Sequence, residues 1–354
     1  MSDVDGTAEI AQRVAAAHAA CEALAIRGGG SKAFHGREVA GAPLDLSGHR
    51  GILRYAPAEL VLTARAGTPL AEIETLLSTR QQLLGFEPPR FQGGATLGGA
   101  IASGLAGPRR PHAGAPRDFV LGVRIVNGRG ELLRFGGEVI KNVAGFDVSR
   151  LMAGALGTLG VLLEISLRVI PCPVAEVTLR RASTPAEANA ILAELDRQAS
   201  PLSASCHDGE ALTLRLSGSA AAVTATRARL GGEVLADGAS FWRALRDHEL
   251  PLFRQPGPLW RIALPPRAAP LDLPGQWLDE WGGGLRWLAS AAEPDAIRAA
   301  AARHGGHATL FRGGDRQGAI FQPLAPAVLA LHQRLKQAFD PKAILNPGRM
   351  YRDV

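Results

Sequence analysis

Three stretches of this sequence bring bare backbone, rather than reactive side chains, to where chemistry could occur. The first, Ala25-Ile26-Arg27-Gly28-Gly29-Gly30-Ser31-Lys32, runs from a β-like segment into three glycines, a hydroxyl and a cation. Consecutive glycines let N–H groups converge on an anion, to which Ser31 and Lys32 add a donor and a charge. A pyrophosphate is the natural occupant. No glycine directly precedes the lysine and the spacing is not G-x-G-x-x-G, which disfavours the common ATP and NAD sites. The second stretch, Gln92-Gly93-Gly94-Ala95-Thr96-Leu97-Gly98-Gly99-Ala100-Ile101-Ala102-Ser103-Gly104, is small enough throughout for a flat ligand or another backbone to approach closely. The third is Lys141-Asn142-Val143-Ala144-Gly145-Phe146-Asp147 followed by Gly154-Ala155-Leu156-Gly157-Thr158-Leu159-Gly160-Val161-Leu162. A plain turn or tight helix packing explains any one of them alone; three in this order are far more specific.

The elements that must position these loops fall into two textures. Residues 1–172 are glycine-rich with short β-like runs such as Leu60-Val61-Leu62-Thr63 and Gly122-Val123-Arg124-Ile125-Val126, a loop-heavy α+β region. The series Ile10, Val14, Ala17, Cys21, Leu24 steps by three and four, as on the core face of a helix. Thr68-Pro69 has the cap-then-proline order of a helix start, with Leu70, Ile73, Leu76 and Leu77 as its buried face. After Pro171-Cys172-Pro173 the pattern changes. Residues 177–181 alternate like a strand, and Thr184-Pro185-Ala186-Glu187 is a capping box for a helix burying Ile191, Leu192 and Leu195. Strands are predicted at 212–216, 260–264 and 286–288, a helix at 220–230 and a surface loop at 265–274, giving an antiparallel sheet backed by helices. A last helix with Val328, Leu331, Leu335 and Phe339 on one face ends at Asp340-Pro341, and the apolar tail beyond it must pack back on the first domain.

Bulk properties narrow the function classes. The 354 residues exceed what one hydrophobic core usually supports, so two domains, or one large domain with an insertion, are expected, and 46% hydrophobic with 20% charged residues is an ordinary globular balance. The acidic start Met1-Ser2-Asp3-Val4-Asp5 does not read as a signal peptide, and no run of about 18 apolar residues reads as a membrane span, which points to a cytoplasmic protein. Cys21, Cys172 and Cys206 are too dispersed for a zinc site or an iron–sulfur cluster and are expected to be buried reduced thiols, so no metal is predicted. The net charge of +6 comes from scattered arginines without interleaved aromatics, which disfavours nucleic acid. Arg109, Arg110 and Arg117 around His112 would suit an anionic ligand or acidic partner.

Taken together, residues 26–171 resemble the FAD domain of the GlcD/GlcE group of glycolate oxidase flavin subunits, within the vanillyl-alcohol-oxidase or PCMH-type family. Gly107-Pro108-Arg109-Arg110, Arg117-Asp118-Phe119-Val120-Leu121-Gly122, Asn127-Gly128-Arg129-Gly130 and Lys141-Asn142-Val143-Ala144-Gly145 are similar to the GlcE branch. Phe339-Asp340-Pro341 and Ile344-Leu345-Asn346-Pro347-Gly348-Arg349-Met350 resemble the family's C-terminal signature. The resemblance implies an α+β fold: a two-subdomain PCMH-type FAD-binding domain (1–172), an α+β cap with an antiparallel sheet (173–318), and a C-terminal segment (319–354) returning to the FAD domain.

By the same resemblance, Arg27, Gly28, Gly29, Gly30, Ser31 and Lys32 would cradle the FAD pyrophosphate, with Gly94, Ala95, Thr96, Leu97, Gly98 and Gly99 as the second wall. Ser103 and Gly104 would lie against the flavin or ribityl chain. Gly145, Asp147, Gly157, Thr158, Gly160 and Val161 would line the adenine and ribityl side, and Asn346 and Gly348 would reach the isoalloxazine edge. Covalent relatives carry a His directly after the first glycines, where this chain has Ser31, so non-covalent FAD is implied; His35 reads as a surface or supporting residue. The family's Glu in Gly-Ser-Glu-Gly-Thr-Leu-Gly is replaced by Leu156.

Oxidising a 2-hydroxy acid needs a base near the hydroxyl and cations for the carboxylate. The Gly-Asp-Gly-Asn-Leu-His string of the catalytic relatives is missing; the nearest segment offers His307 as base and Arg312 as carboxylate ligand, against the alternative that both are satisfied by local hydrogen bonds. The resemblance therefore implies an FAD-holding subunit in electron relay or assembly, beside a catalytic GlcD-like flavin subunit and a GlcF-like iron–sulfur subunit that could bring it to the inner membrane. A self-sufficient flavin-dependent 2-hydroxy-acid oxidase and a cofactor-free scaffold stay open.

Overall fold

The computed structural model describes residues 3–91, 93–137 and 147–354, which divide into two compact units. The first comprises residues 3–105, 114–171 and 316–354, and the second 106–113 and 172–315. The short excursion 106–113 thus groups with the later sequence, and Arg109 and Arg110 fall in a different unit from Arg117.

The first unit is organised by a five-stranded antiparallel sheet in the order Ile52–Ala56, Val61–Arg65, Val161–Arg168, Val120–Val126, Leu132–Gly136. The three central strands are buried almost without interruption because both of their faces are covered. A separate parallel pair, Leu24–Arg27 with Ala42–Asp45, carries the first glycine loop. One core joins the start and end of the chain: Ile10, Val14 and Ala17 from the helix Thr7–Ala20 pack with Leu24, Leu44, Val161, Ile344 and Leu345. Burial of Ile344 and Leu345 in this core, at about 1.5–3 kcal/mol each, favours the packing of the tail there.

The second unit is an eight-stranded antiparallel sheet in the order Glu233–Val234, Ala175–Ala182, Ala211–Gly218, Leu202–His207, Gln276–Glu280, Leu285–Ala289, Leu259–Ala263, His307–Arg312. The capping box forms as read, with Thr184 Oγ1 accepting from Glu187 N, and the helix Pro185–Arg197 buries Leu192 and Leu195. Among the described residues no helix is long and apolar enough to cross a membrane.

Four local expectations are corrected. Thr68 does not cap the helix Leu70–Ser78; its buried hydroxyl exchanges hydrogen bonds with both backbone groups of Gly51 (2.9 and 3.1 Å), and Pro69 occupies the cap position. Cys21 ends its helix in the left-handed conformation and is exposed, as is Cys172, so only Cys206 is a buried thiol. In the final helix, Pro326–Phe339, Val328 and Leu331 are 43% and 47% exposed, while the buried position is Lys336. Of the two readings of His35, a surface or a supporting residue, the first is corrected: it is buried, its ring edge-on to Phe321.

Candidate functional site

The strand Leu24–Arg27 stops where side chains stop, at Gly28. Its glycines are required by close approach: a Cβ on Gly29 would sit 1.4 Å from the Gly94 carbonyl oxygen, and one on Gly28 2.5 Å from Thr96 Oγ1. Gly30 adopts φ +73°, a left-handed turn that glycine takes without strain. Among the described residues, the amides of Gly29, Gly30 and Ser31 donate no hydrogen bond. Three successive unengaged N–H groups form the kind of concavity that binds anions. The same residues belong to the lining of a cleft of about 550 Å³, formed by residues 27–32 together with Thr96, Gly99, Ser103, Asn346 and Arg349.

The second wall is a short helix, Leu97–Ser103, started by Thr96, whose Oγ1 accepts from Gly99 N. It is docked through backbone: Leu97 N donates to Thr68 O (2.9 Å) and Gly98 N to Ala66 O (2.7 Å). A side chain on Gly98 would meet Ala66 Cβ at 2.7 Å, so this residue sets the distance between helix and strand. The helix ends at Gly104, φ +64°, and its last turn accepts the amides of Gly154 and Leu156 at Ile101 O and Ala102 O (2.9 Å each). Gly28, Gly98, Gly157, Gly160, Ala66, Leu46 and Leu162 enclose an adjoining apolar recess of about 90 Å³.

The tail closes the site. Asn346 Oδ1 accepts from Ile26 N (2.8 Å), and its Nδ2 donates to Leu156 O (2.7 Å), so one amide ties the strand before the first glycine loop to the Leu156-Gly157 turn. Behind it the buried Lys336 ammonium donates to Thr158 O (2.9 Å) and Leu345 O (2.7 Å) and pairs with Asp340 (2.9 Å), itself held by the amides of Ile344 and Leu345. Arg316 reaches the carbonyls of Phe34 and Gly36, and Arg349 that of Ala33 (3.0 Å), pinning the far side of the same loop.

The charge balance at the cleft is cationic: Arg27, Lys32 and Arg349 stand against Glu38. Burial and the neighbouring cations Arg316 and Arg27 push Arg349 below the usual arginine range, partly relieved by Glu38. A group carrying two negative charges would relieve that repulsion directly.

Of the residues expected from sequence, 27–32, Thr96, Gly99, Ser103 and Asn346 meet in the cleft, and Gly98, Gly157 and Gly160 in the recess. Gly94, Ala95 and Leu97 support the walls from behind. Asn346 acts through the backbone it clamps. Others are not brought in: Gly104 caps a helix, Thr158 spends its hydroxyl on Ala155 O (2.8 Å), and Val161 is core. Asp147 caps the helix Val148–Leu151 and pairs with Arg150, and Gly348 turns the tail with its amide on Val354 O. Gly145 lies outside the described residues. In the second unit, His307 and Arg312 occupy opposite ends of one strand, about 17 Å apart at the usual rise. The Arg312 guanidinium is taken by Phe253 O, so the two do not form a base and carboxylate pair. Sequence reasoning missed Glu38, Ala102, Leu156 and Arg349 as lining residues. Arg349 was in plain view beside Gly348, and Leu156 stands at the position of the family's Glu; nothing in the sequence marks Glu38 or Ala102.

Comparison with known proteins agrees with this geometry. Residues 4–136 match the family described as FAD binding domain, and 313–350 match FAD linked oxidases, C-terminal domain. The glycolate oxidase subunit GlcE of Escherichia coli (strain K12) is 52% identical over 331 residues, covering 94% of this chain and 93% of that one. The glycolate oxidase subunit GlcD of Bacillus subtilis (strain 168) is 33% identical over 119 residues, 33% of this chain and 25% of that one. Among solved structures, p-cresol methylhydroxylase with substrate bound superposes with a TM-score of 0.74 at 14% identity, over 98% of this chain and 88% of that one, which is a likeness of fold. With both glycine walls inside the FAD domain match and a relative this similar along nearly its whole length, the chain belongs to the GlcE family of glycolate oxidase subunits.

Proposed function

We propose that this chain holds FAD without a covalent link in the cleft of its first unit, as a subunit of an enzyme oxidising glycolate to glyoxylate. The observation that carries the reading is the row of unengaged amides at Gly29, Gly30 and Ser31, residues that line a cleft of about 550 Å³ together with Arg27, Lys32 and Arg349. The amides and these cations would grip the pyrophosphate. The recess, where Gly98, Gly157 and Gly160 lie among the apolar side chains of Ile26, Leu46 and Leu162, would admit the edge of a flat ring close to backbone. When bound, FAD would supply the two-electron acceptor that oxidation of a 2-hydroxy acid requires. With Ser31 after the glycines and His35 packed on Phe321, no imidazole is offered for a covalent link in this loop.

Within the assembly this subunit would relay electrons or organise the complex beside a GlcD-like catalytic flavin subunit and a GlcF-like iron–sulfur subunit, through which it would associate with the inner membrane. The separation of His307 from Arg312 supports a non-catalytic part, and the three cysteines, free and dispersed, offer no cluster, so one-electron transfer would fall to a partner. Expressing the chain alone tests this. Bound flavin without glycolate or lactate turnover supports the proposal; turnover alone supports a self-sufficient oxidase, and a folded colourless product a cofactor-free scaffold.

A further inference from the structure

Leu156 holds a backbone conformation that its own side chain disfavours. It sits at φ +52°, in the left-handed region, where a Cβ crowds the following carbonyl oxygen and which glycine enters without that penalty. Its neighbours in the same turn, Gly154 and Gly157, take φ of +87° and +73° as glycines. Among the described residues that line the cleft, Asn346 is the other non-glycine residue with a positive φ, +42°, and asparagine tolerates this region. Leucine does not, so the demands of the turn leave the residue type at 156 unexplained.

The conformation is imposed from both sides. Leu156 N donates to Ala102 O (2.9 Å) and its carbonyl oxygen accepts from Asn346 Nδ2 (2.7 Å), so neither peptide plane can rotate without losing a hydrogen bond. The side chain reaches the turn beyond the first glycine loop, where a Cβ on Gly36 would lie 3.3 Å from Leu156 Cδ1. The residue is half-buried and belongs to the lining of both the cleft and the recess. Of the residues common to the two, Ile26 and Leu156 carry the large aliphatic side chains. Strain that persists beside a cavity, because the surrounding bonds over-determine it, points to a side chain kept for what enters the cavity. An aliphatic chain at that boundary offers dispersion contact and no hydrogen bond, which suits an aromatic ring and not a phosphate or a hydroxyl.

We propose that Leu156, held in a strained conformation at the junction of cleft and recess, is the residue whose side chain seats a flat ring of bound FAD. Such a seat rests on the cleft being an FAD site and names the residue that the ring meets there. Three substitutions test it in the full chain, stripped of flavin and titrated with FAD, with the melting temperature of each flavin-free protein measured in parallel. Leu156→Gly and Leu156→Asn accept the left-handed conformation and remove the apolar chain, so each should melt at or above the flavin-free wild type. Both should bind FAD about tenfold more weakly, as expected for loss of one large aliphatic contact. Leu156→Met keeps the apolar bulk and the strain, so it should melt close to the wild type and bind FAD within about threefold of it. A crossed order, in which the better-melting variants are the poorer binders, is not what a merely structural leucine would produce. Wild-type affinity in Leu156→Gly or Leu156→Asn, or a melting temperature well below wild type in both, would overturn the proposal. So would a Leu156→Met that loses as much affinity as Leu156→Gly. A wild-type chain that takes up no FAD sinks the cleft reading and this seat together, whereas FAD bound equally by wild type and all three variants sinks the seat alone.

Discussion

Replacing Gly29 with alanine tests the site at the point where its geometry is least forgiving. The added Cβ would lie 1.4 Å from the Gly94 carbonyl oxygen, whereas a carbon–oxygen contact needs roughly 3.3 Å, so the two loops must part by about 2 Å. The obstacle is backbone and cannot rotate aside. Overpacking costs about 1–3 kcal/mol, and an overlap this deep belongs at the upper end, near 3 kcal/mol, or about a hundredfold in affinity if it falls on the cleft. It should fall there because Gly93 and Gly94 are exposed, so their loop can swing outward while the sheet and core stay intact. Gly30→Ala is the control: its Cβ meets nothing within 4 Å, and only the left-handed φ of +73° is penalised, about 1–2 kcal/mol. The flavin-to-protein absorbance ratio after gel filtration, followed by FAD titration of the stripped protein, should rank wild type above Gly30→Ala above Gly29→Ala. Gly29→Ala that keeps a full complement of flavin, or loses no more than Gly30→Ala, refutes the approach of the two loops as the basis of the site.

Two further outcomes follow from buried charge. Lys336→Met leaves Asp340, wholly buried, without its counter-ion and strips a donor from Thr158 O and Leu345 O; a loss of about 3–5 kcal/mol is expected by urea unfolding, and a loss under about 1 kcal/mol would contradict the network. His248, sandwiched among Phe253, Trp287 and Phe311, is held well below its ordinary 6.5 by burial and by Arg312 and Arg261. Its depressed folded value means the unfolded chain takes up the proton first, so stability present above pH 6.5 is lost as pH falls below it. His49, His112 and His307 are lowered too and act in the same direction. The melting temperature should drop between pH 7 and pH 5.5, less steeply in His248→Phe; a variant with an unchanged slope would show that this imidazole is not the one opposing protonation.

What could be read from sequence and what could not divide along a physical line. Patterns set by neighbours in the chain were legible: the capping box at Thr184, the strand at Ala175–Ala182 and the helix Ala220–Leu230 are local in origin. The glycine loops were legible because a run of residues without side chains has few uses other than close approach. Misreadings arose where a distant partner outcompeted the local pattern. Thr68 looked like a cap, but Gly51 offers its hydroxyl both a donor and an acceptor. The final helix looked as if it buried Val328 and Leu331, yet a lysine takes the interior place because two carbonyls and Asp340 converge on its ammonium. No periodicity rule anticipates a buried cation. Pairing Arg312 with His307 failed for the complementary reason: nearness in sequence along a strand is distance in space, whereas Arg261 comes beside His307 only through strand pairing.

The same contrast explains why the tail belongs to the site although it contributes few atoms to the cleft. Walls made of glycine and alanine can approach a ligand closely, but they have no side chains with which to hold themselves in register, and glycine-rich backbone has more conformational freedom to lose than any other. Rigidity must be imported. Asn346 supplies it with one amide spanning Ile26 and Leu156, 320 and 190 positions away in sequence. Lys336 then fixes the carbonyls at Thr158 and Leu345 that flank that amide. The glycine loop is thus held in place by residues far from it in sequence, so the cleft takes its shape only when those long-range contacts form. Loss of this brace should therefore register as weaker flavin retention even though neither Lys336 nor Asp340 lines the cleft.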